Sequence, residues 1–137
     1  MPLEFKTNPE ISVNDFIDIL HRSGLAARRP VEDHECMQGM LKHANLIVAA
    51  YNSEKLVGIA RSITDFYYAC YLSDLAVDKA WQGSGVGKSL QRKTQDALGS
   101  KCKLILLAAP AAESYYGHVG YNQHPSCFVL ERNAQIK

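Results

Sequence analysis

Three glycines within five positions constrain the fold of this chain more than any other feature. Gly83, Gly85 and Gly87 follow a segment rich in aromatic and β-branched residues (67–77) and precede an amphipathic segment that runs to about residue 98. Glycine lets the backbone turn sharply and lets a ligand approach the amides without a Cβ in the way. The first turn of the following helix adds N–H groups without internal partners and a partial positive charge. The order of strand, glycine loop and helix therefore predicts an α/β unit whose turn can hold a phosphate or a pyrophosphate.

Two common phosphate-binding patterns do not match this loop. The Walker A pattern needs four residues between its first glycine and Gly-Lys-Ser, whereas only three separate Gly83 from Gly87. The dinucleotide pattern Gly-x-Gly-x-x-Gly fails because Lys88 stands where its third glycine is required. A flexible connection without a ligand is the plain alternative.

Hydrophobic periodicity divides the rest of the chain into strands and helices. Ser12 is a plausible N-cap and Gly24 a stop for a first helix over 13–22, and Pro30 fits the first turn of a second helix over 31–43. The predicted strands cover 3–7, 46–51, 56–64, 67–77, 102–109 (a continuous apolar run typical of burial on both faces) and 126–131, and further helices cover 86–98 and 111–119. A β-α-β run beside an antiparallel meander predicts a mixed sheet covered by helices, in the α/β or α+β class.

Composition excludes several classes of protein. The chain has 137 residues without a repeat or a low-complexity linker, so we expect one domain over 1–137. A net charge of +1 gives no field that would recruit nucleic acid or an anionic membrane. The apolar runs are too short to span a bilayer, and charged residues interrupt the amino terminus where a signal peptide would be apolar. The four cysteines form no Cys-x-x-Cys pair, which is typical of buried free thiols in a reducing compartment, so we expect a cytoplasmic protein without a metal site.

Three segments together resemble the GCN5-related N-acetyltransferase (GNAT) family. Residues 82–87, Gln-Gly-Ser-Gly-Val-Gly, resemble its Gln/Arg-x-x-Gly-x-Gly/Ala motif. Residues 72–78, Leu-Ser-Asp-Leu-Ala-Val-Asp, resemble its fourth strand, and residues 114–121 resemble its Phe-Tyr-x-x-x-Gly-Phe segment. The resemblance covers 45–131 and implies a mixed, mostly antiparallel sheet of six to seven strands with about four helices. It also implies acetyl-CoA as the co-substrate of a small amine acetyltransferase.

The family pattern assigns cofactor-binding positions to this chain. By this analogy the strand over 67–77 splays from the next one, and the backbone of Leu75 or Val77 binds the pantetheine arm and the thioester oxygen. The amides from Gln82 to Lys88 would hold the pyrophosphate. The cofactor-binding residues implied are Leu75, Ala76, Val77, Gln82, Gly83, Ser84, Gly85, Val86, Gly87, Lys88 and Ser89.

Acetyl transfer needs a group that protonates the departing thiolate and a route for the proton of the amine. Tyr116 occupies the position of the tyrosine that serves as general acid in many relatives, whereas Tyr115 fits an aromatic packing role better. Asp74 is the nearest carboxylate on the strand and is the candidate base; an ion pair with a basic neighbour, or a backbone cap, is its structural alternative.

The sequence thus predicts an acetyl-CoA-dependent N-acetyltransferase that acts on the primary amine of a small molecule. Two alternatives stay open: an enzyme that acetylates a protein amino terminus or lysine, and a non-catalytic module that binds acyl-CoA. We expect neither nucleic acid nor membrane as a partner, and a homodimer is compatible with a domain of this size. The sequence does not name the amine.

Overall fold

The structure, a computed structural model, describes residues 2–137 and divides the chain into two compact units, Met1–Leu107 and Ala108–Lys137. The first unit contains β1 (Glu4–Thr7), α1 (Val13–Ser23), a 3₁₀ turn (Leu25–Arg28), α2 (His34–His43), β2 (Leu46–Asn52), β3 (Lys55–Thr64), β4 (Ala69–Val77), a second 3₁₀ turn (Lys79–Trp81), α3 (Val86–Asp96) and β5 (Lys103–Ile105). The second unit contains a 3₁₀ turn (Pro110–Ala112) and α4 (Glu113–His118). The single domain over 1–137 stays a prediction.

The strands of the first unit form one sheet in the order β1-β2-β3-β4-β5. The first four are antiparallel, and β4 pairs with β5 in parallel. The predicted mixed, mostly antiparallel sheet with four helices is therefore confirmed, with five strands in the described residues where six to seven were expected.

Helix α1 begins and ends where local chemistry dictates. The Ser12 hydroxyl accepts a hydrogen bond from the N–H of Asp15 at 3.1 Å, and Gly24 ends the helix with a φ of 88°. Helix α2 begins three residues later than predicted, because the Asp33 carboxylate caps it by accepting from the N–H of Cys36 at 3.0 Å. The Asp33 cap outweighs the weaker start signal of Pro30, since only the cap satisfies an orphan N–H of the first turn.

Helices cover both faces of the sheet. Phe16, Ile19 and Leu20 of α1 and Met37 of α2 are fully buried on one face, where they pack in a cluster with Ile59. On the other face, Val86 and Leu90 of α3 pack in a cluster with Val48, Val57 and Ala60. Helix α3 therefore packs against the sheet immediately after the glycine loop, and this packing holds the loop at the end of β4.

One predicted strand is shorter than expected and another is absent. The apolar run over 102–109 forms a strand only at Lys103–Ile105, and Ile105 and Leu107 are 42% and 50% exposed. The run is buried on one face only: Leu104 and Leu106 pack in the cluster with α3, whereas the face of Ile105 is left open. Its strand β5 is an edge strand that pairs with β4 through three residues. The segment 126–131 forms no strand, and its Phe128 is 93% exposed. High β-propensity does not produce a strand without a partner strand to satisfy its backbone groups.

Candidate acetyl-CoA site

One edge of β4 lacks a partner strand over most of its length. Parallel pairing with β5 runs only from Ala69 to Tyr71, although β4 continues to Val77, and no strand within residues 2–137 pairs with that side of 72–77. The register with β3 also shifts here, from Arg61 opposite Asp74 to Ser62 opposite Leu72, which leaves Ser73 as a bulge. A bulge bends its strand and commonly marks the point where pairing with a neighbour ends. The bulge in β4 at Ser73 accordingly lies just after Tyr71, the last residue of β4 that pairs with β5. We call residues 72–77 the free β4 edge.

Leu75 and Val77 present their backbone groups to this free edge. The N–H of Asp78 donates to the carbonyl of Val57 on β3 at 2.9 Å. Hydrogen bonding alternates along an antiparallel pair, so Ala76 also faces β3 while Leu75 and Val77 face away from it. Ala76, which the sequence analysis also predicts as a cofactor-binding residue, pairs with Ile59 of β3 and is 1% exposed.

The glycine loop presents a run of open backbone N–H groups. Gly83 and Gly85 have φ values of 80° and 89°, and Gly85 is the N-cap of α3 without any side-chain cap. The first bond of α3 runs from the N–H of Ser89 to the carbonyl of Gly85 at 3.0 Å, so the preceding amides have no helical acceptor. The amides of 83–88 have no acceptor among the described residues.

The amides on either side of 83–88 are already in use. The N–H of Gln82 donates to the carbonyl of Lys79 at 3.4 Å, and that of Ser89 is engaged inside α3. The open amides are therefore those of 83–88, one residue fewer than the predicted Gln82 to Lys88. A Cβ built on Gly83 or Gly85 would meet no atom within 4 Å, so the space above the loop is open. An open cradle of amides at a helix N-terminus fits a diphosphate.

Side chains brace this loop. The Gln82 side-chain amide donates to the carbonyl of Val77 at 2.9 Å and to that of Ser23 at 3.3 Å, which ties the loop to the ends of β4 and α1. The Ser84 hydroxyl donates to the carbonyl of Trp81. Gln82 and Ser84 thus shape the cradle in this structure, and their predicted contacts to the cofactor stay a prediction.

Asp78 fixes the exit from β4. Its carboxylate accepts from the N–H of Ala80 at 2.8 Å and from Nη1 of Arg22 at 2.6 Å. The Ala80 hydrogen bond and then the Arg22 side chain lower the pKa of Asp78 below its ordinary value. Arg22 also donates to Asp18 and to the carbonyl of Leu56, so it joins α1 to the sheet at the base of the loop.

Asp74 is buried between two arginines rather than open to a substrate. Nε of Arg29 donates to its Oδ1 and Nε of Arg61 donates to its Oδ2, both at 2.5 Å, and Asp74 is 0% exposed. The two guanidinium groups also donate to Ser73, Arg29 to its carbonyl and Arg61 to its hydroxyl. Guanidinium donors occupy both carboxylate oxygens, and the side chain is closed to solvent, so the geometry favours the ion-pair alternative for Asp74.

Sequence reasoning missed Arg29 and Arg61. Arg29 lies 45 residues from Asp74 along the chain, and no local pattern marks either arginine as its partner. Arg29 binds the α1–α2 connection to the β4 bulge beside the free β4 edge, and Arg61 of β3 binds α2 to the same bulge.

Tyr116 lies in the second unit, on α4. Its ring packs edge-on against Tyr115, with centroids 5.2 Å apart, and against Tyr121, with centroids 5.5 Å apart. The short helix over 111–119 is observed as a 3₁₀ turn followed by α4, and Gly120 follows it with a φ of 113°. The general-acid role of Tyr116 stays a prediction.

Other expectations concern metals, thiols and membranes. Residues 2–137 contain no group of three or more His, Cys, Asp or Glu side chains that could hold a metal ion. The four cysteines are unpaired; Cys70 is buried, whereas Cys36 and Cys127 are exposed, contrary to the expectation of burial. None of the described helices has both the length and the apolar character needed to cross a bilayer.

Comparison with known proteins identifies the kind of domain. The model of the "Acetyltransferase (GNAT) domain" family matches residues 21–131. A curated relative, GCN5-related N-acetyltransferase 2, chloroplastic, of Arabidopsis thaliana, is 31% identical over 74 residues, which are 53% of this chain and 29% of that protein. The chain thus matches less than a third of the length of this relative.

Solved structures share the fold at low sequence identity. A GNAT family acetyltransferase from Streptococcus pneumoniae superposes with a TM-score of 0.76 at 16% identity, covering 96% of this chain and 99% of that one. The aminoglycoside N-acetyltransferase AAC(6')-Iy in complex with CoA superposes with a TM-score of 0.71 at 14% identity, covering 96% of this chain and 95% of that one.

Proposed function

The chain is an acetyltransferase domain that belongs to the GNAT family, as the sequence motifs predicted, and from this premise we propose that it transfers the acetyl group of acetyl-CoA to the primary amine of a small molecule. One observation carries the proposal: the free β4 edge leads directly into a loop whose amides over 83–88 are open. Acetyl-CoA has an extended pantetheine arm with amide groups, which matches the free β4 edge, and a diphosphate next to that arm, which matches the open amides of 83–88. The similarity to an aminoglycoside N-acetyltransferase also supports a small-molecule amine as the acceptor.

Backbone groups do most of the binding in this proposal. The N–H groups of 83–88 receive the diphosphate, assisted by the partial positive charge at the start of α3. The carbonyl of Leu75 and the N–H of Val77, which face away from β3, hydrogen bond to the pantetheine arm as a strand partner would. The carbonyl of Val77 already accepts from Gln82, whereas Leu75 lies nearer to the end of the β4–β5 pairing. The N–H of Leu75 is therefore the group that we assign to the thioester oxygen, and the N–H of Val77 binds the pantetheine arm.

Acetyl-CoA supplies an acetyl group that is activated as a thioester. The amine attacks only in its neutral form, whereas an ordinary alkylamine has a pKa near 10.4 and is mostly protonated at pH 7. Asp74 is the only carboxylate on β4 and is held by Arg29 and Arg61, so in this proposal the proton of the amine leaves through water. The Tyr116 hydroxyl donates its proton to the departing thiolate in this proposal.

We also propose a cytoplasmic location, which the four unpaired cysteines support, because free thiols persist in reducing compartments. A homodimer is the oligomeric state we propose to test first.

Calorimetric titration of acetyl-CoA into Gly85→Ala and Gly39→Ala variants tests the binding site. Alanine at Gly85 meets a φ of 89°, which costs about 1–2 kcal/mol for an L-residue and displaces the loop amides. We expect acetyl-CoA affinity to fall by roughly tenfold or more, as the loss of about 1.4 kcal/mol of binding free energy would give. Gly39 lies within α2 with no atom within 4 Å of an added Cβ, so its variant should bind like the wild type.

A thiol-release assay on small amines, peptides and no acceptor then separates the functions. Release with small amines supports the proposal. Release with peptides alone would favour the protein acetyltransferase, and tight binding without release would favour the acyl-CoA-binding module. No heat of binding in the wild-type protein would contradict all three.

A further inference from the structure

Three exposed apolar side chains form a row across three adjacent strands. Ile63 of β3 lies directly opposite Tyr71 of β4, and Tyr71 lies directly opposite Ile105 of β5. Directly opposed residues point to the same face of a sheet, so the three side chains are neighbours. They are 50%, 37% and 42% exposed in the order Ile63, Tyr71 and Ile105. We call these three residues the apolar row.

The apolar row lies on the sheet face covered by α1 and α2, but beyond their cover. Side chains alternate along β3, so Ile63 shares a face with Ile59 and Arg61. Ile59 is fully buried in the cluster with α1 and α2, and Nη1 of Arg61 donates to the carbonyl of Met40 on α2. The same face is therefore closed at Ile59 and open at Ile63. This change leaves apolar surface exposed next to the β4 bulge.

The apolar row also marks the far end of the free β4 edge. Tyr71 and Ile105 form the last pair between β4 and β5, and the free edge runs from there to the glycine loop. Its six residues (72–77) span about 20 Å at roughly 3.3 Å per residue. An extended donor whose diphosphate lies on 83–88 therefore points its reactive end toward the apolar row.

We propose that the apolar row is the acceptor subsite, and that the acceptor is a primary amine carried on an alkyl or aryl group. This inference rests on the proposed function. An apolar group packed against Tyr71 and the two isoleucines is removed from water, which provides binding energy that a polyhydroxylated amine cannot gain there.

The charges around the apolar row disfavour a polycation. On the side of the bulge, Arg29 and Arg61 share the single carboxylate of Asp74, which leaves one positive charge in excess. On β5, Lys103 lies two residues before Ile105, with its Nζ 3.6 Å from the ring centroid of Tyr68. Asp65, the carboxylate in the 65–68 turn, accepts hydrogen bonds from three backbone N–H groups, and its negative charge offsets the positive charge of Lys103. The net excess around the apolar row is therefore the one positive charge of the two arginines. The excess of positive charge repels further cationic groups on an acceptor.

Steady-state kinetics on a panel of amines tests the subsite. The panel contains 2-phenylethylamine, hexylamine, an aminoglycoside and a lysine peptide, with acetyl-CoA saturating. We expect kcat/KM for the two apolar amines to exceed that for the aminoglycoside by at least tenfold. In Tyr71→Thr, which retains β-propensity, the KM for 2-phenylethylamine should rise roughly tenfold, while kcat and the Kd for acetyl-CoA stay unchanged. Tyr67→Thr is the matched control, because Tyr67 is 80% exposed in the turn outside the apolar row.

Each other outcome counts against a distinct statement. If the wild-type protein neither binds acetyl-CoA nor releases thiol, the proposed function fails. If it turns over but prefers the aminoglycoside, or if Tyr71→Thr leaves the KM for the apolar amine unchanged, the acceptor subsite is overturned while the acetyltransferase activity stands. If sedimentation shows that Tyr71→Thr converts a dimer into a monomer with the same amine KM, a second copy of the chain covers the apolar row and the inference is also overturned.

Discussion

Replacing Asp74 by asparagine separates a structural carboxylate from a catalytic one. The substitution removes the charge that two guanidinium groups share at 2.5 Å. The Arg61 side chain is only 4% exposed, so its charge is left buried with the Met40 carbonyl and the Ser73 hydroxyl as partners. Breaking a buried pair by removing one partner costs about 3–5 kcal/mol. Asparagine keeps one oxygen acceptor, so we expect a loss of about 3 kcal/mol.

A loss of this size is large against the about 5–15 kcal/mol that stabilise a typical domain. For a chain of this length it corresponds to a fall in Tm of roughly 10 °C, measured by calorimetry and by urea denaturation with an unchanged m-value. Asp18→Asn is the control, because Asp18 is 59% exposed and its i,i+4 pair with Arg22 should be worth about 0.3–0.5 kcal/mol. If Asp74→Asn melts within about 2 °C of the wild type yet loses turnover by orders of magnitude, Asp74 is a base and the structural reasoning is refuted.

Two further substitutions test the electrostatics of the loop and the role of the aromatic helix. Hydrogen bonding lowers the pKa of Asp78 in the folded state, so the ionised Asp78 side chain stabilises the folded protein. This contribution to the unfolding free energy is complete above the unfolded-state pKa of Asp78 and is lost as the pH falls through its folded-state pKa. Asp78→Asn should therefore lower the unfolding free energy at pH 7, and urea titrations should show the difference from the wild type shrinking below about pH 4. A difference in unfolding free energy that does not depend on pH would contradict the stabilising role of the ionised Asp78. Tyr116→Phe should lower kcat about 100-fold or more at an unchanged Kd for acetyl-CoA, whereas Tyr115→Phe should not; equal turnover of Tyr116→Phe at every pH would remove the general-acid role.

Features that depend on a few neighbouring residues could be predicted from the sequence. The Ser12 cap and the Gly24 stop of α1 are observed as expected, and the strands predicted over 46–51 and 56–64 form an antiparallel pair that ends with Asn52 opposite Lys55. The glycine loop also belongs here, because the left-handed φ values of Gly83 and Gly85 follow from the residue type. Hydrogen bonds within one turn and allowed backbone angles do not require a distant partner, so the local sequence specifies them.

Features that depend on which distant segments meet were decided only by the tertiary structure. The sequence of an apolar run does not show whether the run will lie at the centre of a sheet, at its edge or outside it. The short, exposed β5 and the unpaired segment 126–131 therefore could not be predicted. Asp74 acquired its partners from Arg29 and Arg61, which lie 45 and 13 residues away. The sequence by itself determined the strand, loop and helix that form the diphosphate cradle. The tertiary structure determined the free β4 edge and the neighbours of Asp74, because strand pairing and buried charges are settled by long-range contacts.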